Sequence, residues 1–450
     1  HSHALHMTTR VLTGITTSGT PHLGNYVGAI RPTVAASRTP GTQNFYFLAD
    51  LHALIKVQDP AKVQRSTLEI AASWLACGLQ PDNDRVWFYR QSEILEIPEL
   101  TWFLTCVAGK GILNRAHAYK AAVDRNTAEG QDPDFGITAG LFMYPVLMAA
   151  DILVFNAHKV PVGRDQIQHI EMARDFAQRF NHLYGEPVGK TYFVLPEAQI
   201  EEHVATLPGL DGRKMSKSYD NTIPLFAPRD ALKKLIFSIV TDSRAPGEPK
   251  DTEGSALFQL YQAFADADET AAMRAAFADG IGWGDAKQRL FERVDREIAP
   301  LRVRYDELMA KPQVIEAMLL DGARTARERL GTPFMRTLRE AVGLRDLSKM
   351  PANTGPDPEK AAAAPVLKQY REPDGRFYFK LADGDTVLLQ STGFDNPKDA
   401  GAWVARLKRE GAAALEAAAD VLATRHDDAA TGLQALAQAE AEREAARQRG

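Results

Sequence analysis

Cysteine is nearly absent: Cys77 and Cys106 are the only two in 450 residues. Two thiols cannot build a four-thiolate zinc or iron–sulfur site, so neither is expected, and both residues read as inert core positions in a reduced compartment. Long apolar runs are also missing. The longest, Gly140 to Ala150, is ended by Asp151, whereas a bilayer-spanning helix needs about 20 apolar residues. No signal peptide is read, so a cytoplasmic location is expected. Neither sign of charge dominates: 53 Lys and Arg stand against 58 Asp and Glu, a net charge of −5. That balance excludes a whole-surface nucleic-acid coat but leaves room for a local basic face. The first residues, His1 to His6 ahead of Met7, read as a tag remnant covering 1–7.

What is present is ordinary globular composition, 45% hydrophobic and 25% charged, at a length that suits two or three domains. Arg10 to Thr13, Asn44 to Asp50, Arg85 to Gln91, Lys159 to Val162 and Tyr192 to Leu195 read as short strands. Helical spacing separates them, for example over Ala61 to Cys77 with Gly78 as its C-cap. Strands alternating with helices predict an α/β fold, a parallel sheet covered on both faces. From about Arg229 the strand signals stop. Asp230 to Val240, Ala256 to Ala265, Ala286 to Glu307 and Gln313 to Leu330 read as helices. This region carries Lys287, Arg289, Arg293, Arg296, Arg302, Arg304, Arg324, Arg327 and Arg329 among interspersed acids. Both a salt-bridged surface and a helical RNA-contact face fit that pattern. Met350 to Pro365 is Pro- and Ala-rich and reads as a linker. Beyond it, Phe377 to Leu381 and Thr386 to Gln390 alternate as strands around Asp383-Gly384, and Asn396-Pro397 starts a helix closed by Gly411.

Two strings carry the chemistry. His22-Leu23-Gly24-Asn25 follows the first strand and opens a helix, at the strand edge where open α/β sheets bind ligands. Lys214-Met215-Ser216-Lys217-Ser218 lies in a polar loop after Gly212. Gly24 lets a backbone approach a ligand closely. His22 and Asn25 offer ring and amide donors, and Lys214 and Lys217 offer charge on flexible stems. Such groups suit ATP cleavage between the α- and β-phosphates, which needs positioned donors around the phosphates more than proton transfer. A third segment, Leu141 to Phe155, is almost wholly apolar with one carboxylate, Asp151. As a helix it places Tyr144, Met148 and Asp151 near one face. An indole N–H is a donor only, so a selective indole pocket needs one buried acceptor in an apolar lining.

The two strings resemble the ATP-handling signatures of class I aminoacyl-tRNA synthetases. With the PHLGNYVGA run from Pro21, ADLHAL from Ala49, YPVLMAADIL from Tyr144, VPVGRDQIQHIE from Val160 and GRKMSKS from Gly212, the likeness is closest to tryptophanyl-tRNA synthetases. It covers Arg10 to Gly343. The resemblance implies ATP-dependent activation of L-tryptophan and its transfer to tRNA(Trp). It implies a doubly wound Rossmann-type catalytic domain over 8–228, a helical anticodon-binding domain over 229–345 and a linker over 346–366. The small ββα module over 367–411 resembles YegP-like modules, and 412–450 is expected to be a helical or partly disordered tail. His22, Asn25, Lys214 and Lys217 become the expected catalytic residues. ATP would be met by Thr16, Thr17, Ser18, Gly24, Asn25, Gly163, Arg164, Asp165, Leu207, Lys214, Met215, Ser216, Lys217 and Ser218. Tryptophan would be met by Gly14, His52, Tyr144, Met148, Asp151 and Gln166, with Lys120 a further lining residue. Thr16-Thr17 stands where relatives often have Gln-Pro. Mg2+ would accompany ATP, no protein metal site is implied, and a homodimer is expected.

Overall fold

The computed structural model describes residues 8–201, 206–350 and 364–448; the expected tag and 351–363 of the expected linker lie outside them. The chain divides into two compact units, 1–345 and 346–450.

In the first unit β1 (Thr9–Ile15), β2 (Thr42–Leu48), β3 (Val86–Arg90), β4 (Lys159–Val162) and β5 (Glu197–Ile200) form one parallel sheet in the order β3-β2-β1-β4-β5. β2 and β3 are apolar on both faces because both are covered. Phe45 and Phe47 enter one hydrophobic cluster while Tyr46 and Leu48 enter the other; Trp87 and Tyr89 alternate with Val86 and Phe88 in the same way. The two-residue period of a strand thus feeds two cores from one string. Phe45 stacks on Trp87 at 4.7 Å and on Phe155 at 5.0 Å. The helix Pro60–Ala76 covers one face, begun by Asp59, whose carboxylate accepts from the amides of Ala61 and Lys62.

The fifth strand lies at Glu197–Ile200, not at Tyr192 to Leu195. The predicted segment stays unpaired because Asn181 binds the amides of Tyr192 and Phe193, turning Phe193 against Phe180 and Phe334. Burial of an aromatic ring outweighed strand propensity there. Cys106 is exposed rather than core, whereas burial pushes the Cys77 thiol up to about 12.

The helices after the sheet are Arg229–Phe237, Ala256–Phe264, Ala267–Ala278, Trp283–Met309, Pro312–Ala326 and Thr332–Ala341. A π-helical turn, Arg327–Gly331, joins the last two where one helix was expected through Leu330. The expected boundary at 228/229 does not separate two units. Leu290, Phe291 and Val294 of the long helix share a core with Tyr46, and Gly322 abuts β3. Glu96, buried near the start of the helix Glu96–Thr105, takes three bonds from Arg327 and one from Thr332. Burial raises the pKa of this carboxyl, but those bonds win and hold it below the usual range. Most of the basic residues of this region are engaged internally: Arg293 and Arg296 with Glu269, Arg302 with Asp295, Arg324 with Asp321, Arg329 with Asp84.

In the second unit β6 (Val366–Arg371), β7 (Phe377–Asp383), β8 (Thr386–Ser391) and β9 (Leu422–Arg425) form an antiparallel sheet in chain order. The helices Pro397–Glu410 and Ala429–Arg447 bury Leu407, Leu433 and Leu436 in its core. The expected ββα module was too small. Residues assigned to the tail supply the fourth strand and a packed helix, a contribution hidden by their Ala-rich composition and the shortness of β9.

A Cβ at Gly322 would lie 2.1 Å from the Phe88 carbonyl oxygen. Gly322→Ala should therefore push the helix Pro312–Ala326 off β3 and destabilise the first unit by about 2 kcal/mol. The check is a lower urea midpoint at unchanged slope; an unchanged midpoint would refute the close approach.

Candidate active site

β1 and β2 pair from Thr9 to Ile15, but β1 and β4 are in register only at Val11 and Lys159. Past that point the two strands part. Gly14 is consequently exposed although it sits on the central strand, and Gly163, just after β4, is exposed as well. The order of the sheet reverses here, so the crevice at the carboxyl ends of β1 and β4 is the expected ligand site of the fold.

One rim is the His22 string. His22 caps the helical turn Leu23–Asn25: its Nδ1 accepts from the Asn25 amide at 3.2 Å, and the Asn25 side-chain oxygen accepts from the His22 amide at 2.9 Å. With Nδ1 accepting, the ring proton belongs on Nε2, which is left as a donor. Burial, then the Lys217 charge, lowers the His22 pKa to about 4, so the ring is neutral and donates without bringing a charge. A Cβ on Gly24 would lie 2.8 Å from the His22 ring, which is the close approach that needs glycine. Thr17 is buried with no partner for its hydroxyl, while Thr16 and Ser18 are exposed.

The opposite rim is the Lys214 loop. Pro21 and Leu23 bond across to Leu225 and Ile223, and the Gly24 amide donates to the Met215 sulfur at 3.4 Å. Lys217 Nζ donates to the Ser18 carbonyl at 3.0 Å, and burial lowers its pKa. Lys214 is exposed. Ser216 caps the turn Lys217–Tyr219, with Ser218 as its partner. Leu207 and Met215 are turned into the core, so they can meet a ligand only through their backbones. The loop has a hub that the sequence did not reveal. Buried Asn221 donates to Asp211 and to the Arg213 and Lys214 carbonyls, and accepts from the Ser216 amide at 2.9 Å.

The wall beside the crevice is a polar chain set in apolar surroundings. The helix Ala139–Leu153 carries Tyr144, Met148 and Asp151. Asp151 is 1% exposed, 3.0 Å from His52 Nε2 and 2.8 Å from Gln91 Nε2. Burial raises its pKa, against the His52 and Gln91 bonds that lower it. Gln91 is fully buried, and its oxygen accepts from the Leu51 and His52 amides. An ionised carboxylate has about four acceptor sites, so Asp151 retains capacity for another donor. The edge of Tyr144 meets the His52 ring at 5.9 Å. Its hydroxyl bonds His169 at 2.5 Å, and His169 reaches Gln166 at 2.8 Å. Gln91 and His169 were missed from sequence, although His169 stands three residues after Gln166 and so on the same helical side. Asp165 and Arg164 are exposed next to Gln166, and Lys120 is exposed on the helix His117–Ala128. Among the described residues no group of three or more His, Cys, Asp or Glu could hold a metal ion.

A family model described as tRNA synthetases class I (W and Y) matches residues 5–298. A tryptophan–tRNA ligase of Xanthomonas axonopodis pv. citri is 70% identical over 404 residues, 90% of this chain and 92% of its own. The chain belongs to the tryptophanyl-tRNA synthetase family. A family member from Pseudomonas aeruginosa is 63% identical over 403 residues, 89% of each chain. A Campylobacter jejuni tryptophanyl-tRNA synthetase matches in structure with a TM-score of 0.67 at 41% identity, covering 75% of this chain and 100% of that one. A second structure of it, complexed with ADP and tryptophan, gives 0.66 at 41% identity over 74% and 100%. The Xanthomonas match is longer than the first unit and so reaches into the second.

Asn221→Leu should free the loop without unfolding the core. Losing its three donated bonds and one accepted bond should raise the rate of tryptic cleavage after Arg213, Lys214 and Lys217 about tenfold. A cleavage rate equal to that of the parent would show that Asn221 does not hold the loop.

Proposed function

We propose that this chain charges tRNA(Trp) with L-tryptophan in two steps at the β1–β4 crevice. In the first, a carboxylate oxygen of tryptophan attacks the α-phosphorus of ATP, and the bond to pyrophosphate breaks. His22 donates from Nε2 to the phosphates, Asn25 holds its ring in that tautomer, and Lys214 and Lys217 take the charge of the leaving pyrophosphate. Mg2+ arrives with the nucleotide as part of the substrate. Thr16, Thr17, Ser18, Gly24, Ser216 and Ser218, with the backbones of Leu207 and Met215, line the ATP side; Gly163, Arg164 and Asp165 meet its ribose side. In the second step the 2′-hydroxyl of the terminal tRNA adenosine takes the acyl group and AMP leaves.

The observation that carries the choice of amino acid is the buried Asp151 carboxylate in an apolar wall. The indole N–H has only a donor to offer, and an acceptor-only group meets it. Gly14 and Met148 shape the apolar side, His52 supports Asp151, and Tyr144 and Gln166 receive the α-ammonium. A phenol both donates and accepts, so tyrosine fits this acceptor less well. A substrate that leaves such a buried group unpaired is rejected strongly.

The helical region from 229 is proposed to read the anticodon. Arg289 and Arg304 are exposed and form no ion pair among the described residues, so they are two of the cations there free to meet phosphates. A cytoplasmic homodimer is the proposed state. The exposed side chains of Leu95 and Trp102 stand seven residues apart, two turns along one helical face, and exposed apolar groups so aligned suit a protein partner.

The test is ATP–pyrophosphate exchange with each of the twenty amino acids in turn. Exchange with tryptophan alone is expected. Exchange with tyrosine would overturn the reading of Asp151, and none with any amino acid would overturn the activation chemistry. Lys217→Ala should lower tryptophan-dependent exchange about 10²- to 10³-fold while equilibrium tryptophan binding is kept. Asp151→Ala should instead weaken tryptophan binding about 10- to 100-fold.

A further inference from the structure

His169 takes no part in the scheme above, yet it is 4% exposed and joins two of its residues. The direction of the bonds through it can be worked out. Gln166 Nε2 lies 3.4 Å from Asp165 Oδ2, so the amide points its nitrogen at Asp165 and its oxygen at His169 Nδ1. That oxygen only accepts, so Nδ1 carries the ring proton. Nε2 then holds a lone pair, and the Tyr144 hydroxyl must donate to it. The chain runs one way: Tyr144 O–H to Nε2, and Nδ1–H to Gln166 Oε1. With its only proton committed, the Tyr144 oxygen has nothing but lone pairs for a further partner. The Gln166 oxygen has one lone pair to spare.

An α-ammonium has three donors and no acceptor. We infer that His169 is a positioning residue, which fixes the direction of the hydrogen bonds through Tyr144 and Gln166 so that the amino-acid site presents acceptors to the substrate ammonium. The inference rests on the tryptophan reading of this site. The neutral ring is essential to it. An imidazolium would donate from both nitrogens, turn the Tyr144 proton toward the ammonium, and add a like charge behind it.

The groups facing His169 favour the neutral form. Burial lowers its pKa below the usual histidine value, the charges of His117 and His52 lower it further, and Asp165 opposes them. Burial also raises the Tyr144 pKa, keeping that hydroxyl protonated. The sign follows: tryptophan binding is complete above the His169 pKa and weakens as pH falls through it.

The experiment measures KM for tryptophan and for ATP in pyrophosphate exchange between pH 8 and pH 5. Alongside it, inhibition by indole-3-propionate, which lacks the ammonium, is measured. His169→Phe should raise the tryptophan KM about 10- to 100-fold at pH 8, while the ATP KM and indole-3-propionate inhibition stay within about twofold of the parent. His169→Gln keeps one donor and one acceptor but cannot titrate. It should recover most of the tryptophan KM at pH 8 and flatten the acid-side rise seen in the parent. If the Phe variant does not fold, the flattened profile of the Gln variant decides alone. Protonation of Asp151, whose pKa burial raises, weakens both ligands alike, so the acid-side rise is read as the tryptophan KM relative to indole-3-propionate inhibition. Equal losses for the two ligands in His169→Phe, or a relative rise that persists in His169→Gln, would overturn the inference. A parent protein without tryptophan exchange would instead overturn the reading beneath it.

Discussion

The parting of β1 from β4 is the constraint on which the rest of the structure depends. Parallel strands joined by crossover helices are held in register only where their backbones bond. Here that register is reduced to Val11 opposite Lys159. Everything beyond it on the carboxyl side is room, opened at the centre of the sheet where both cores stiffen the walls. Gly14 and Gly163 leave their backbones exposed there, and a side chain at either would press on Phe47 or Asp165 instead. The string after β1 and the string after β4 must therefore meet across it. His22, after β1, and Gln166, after β4, both lie at the carboxyl ends of these neighbouring strands although they come from elements separated by more than a hundred residues.

A second consequence is the kind of polar group the crevice can hold. Asp151 is buried on a helix packed beneath the sheet, and no lysine or arginine bonds it among the described residues. Isolated ionised carboxylates are costly to bury, and the cost is met here by two hydrogen-bonding side chains, a glutamine amide and a histidine ring nitrogen. A guanidinium would have satisfied the charge more strongly, and it would have consumed the acceptor sites that the proposed reading leaves for an indole. Gln91 does double duty, since its oxygen fixes the Leu51 and His52 amides while its nitrogen holds Asp151. The proposed indole acceptor and the placement of His52 thereby belong to one network, the type in which single deletions are expected to be non-additive.

How much of this could be read from the sequence follows from the range of each interaction. The four strands with strong alternation or continuous apolar character stood out, and so did the glycine-marked strings at their ends, because those signals are local. β5 was displaced by a few residues because Asn181 captures the amides that strand pairing would have used. His169 and Gln91 carried no such signal. Their roles exist only through partners 25 and 60 residues away, and a polar residue at a strand end or on an amphipathic helix looks the same in sequence whether it is a buried hub or solvated. The basic residues of the helical region were legible as charge but not as availability. Arg327 alone illustrates this, its guanidinium spent on Glu96, 231 residues earlier. The second unit failed differently, since alanine-rich sequence says little about which side of a helix is buried.

The charges on the two rims also bear on how the site works. His22 and Lys217 are close enough that the lysine charge lowers the histidine pKa, and Lys217 itself is partly desolvated, with Glu69 as the charge that favours its protonated form. Its bonded partner is a carbonyl, Ser18, and Glu69 is already bonded to Arg65 and Thr20. A carbonyl is a weak partner for an ammonium compared with a phosphate oxygen. The loop is thus held in place by the Asn221 hub, the Arg213–Asp211 pair and the Gly24–Met215 bond, while Lys214 and Lys217 form no ion pair among the described residues. Donors fixed in advance of the charge they are to stabilise need little reorganisation when it develops. Among the described residues Lys217 is the one lysine of the loop that forms a hydrogen bond, and that bond is to a carbonyl, so the ammonium can exchange it for a stronger acceptor without the Asn221 hub being undone.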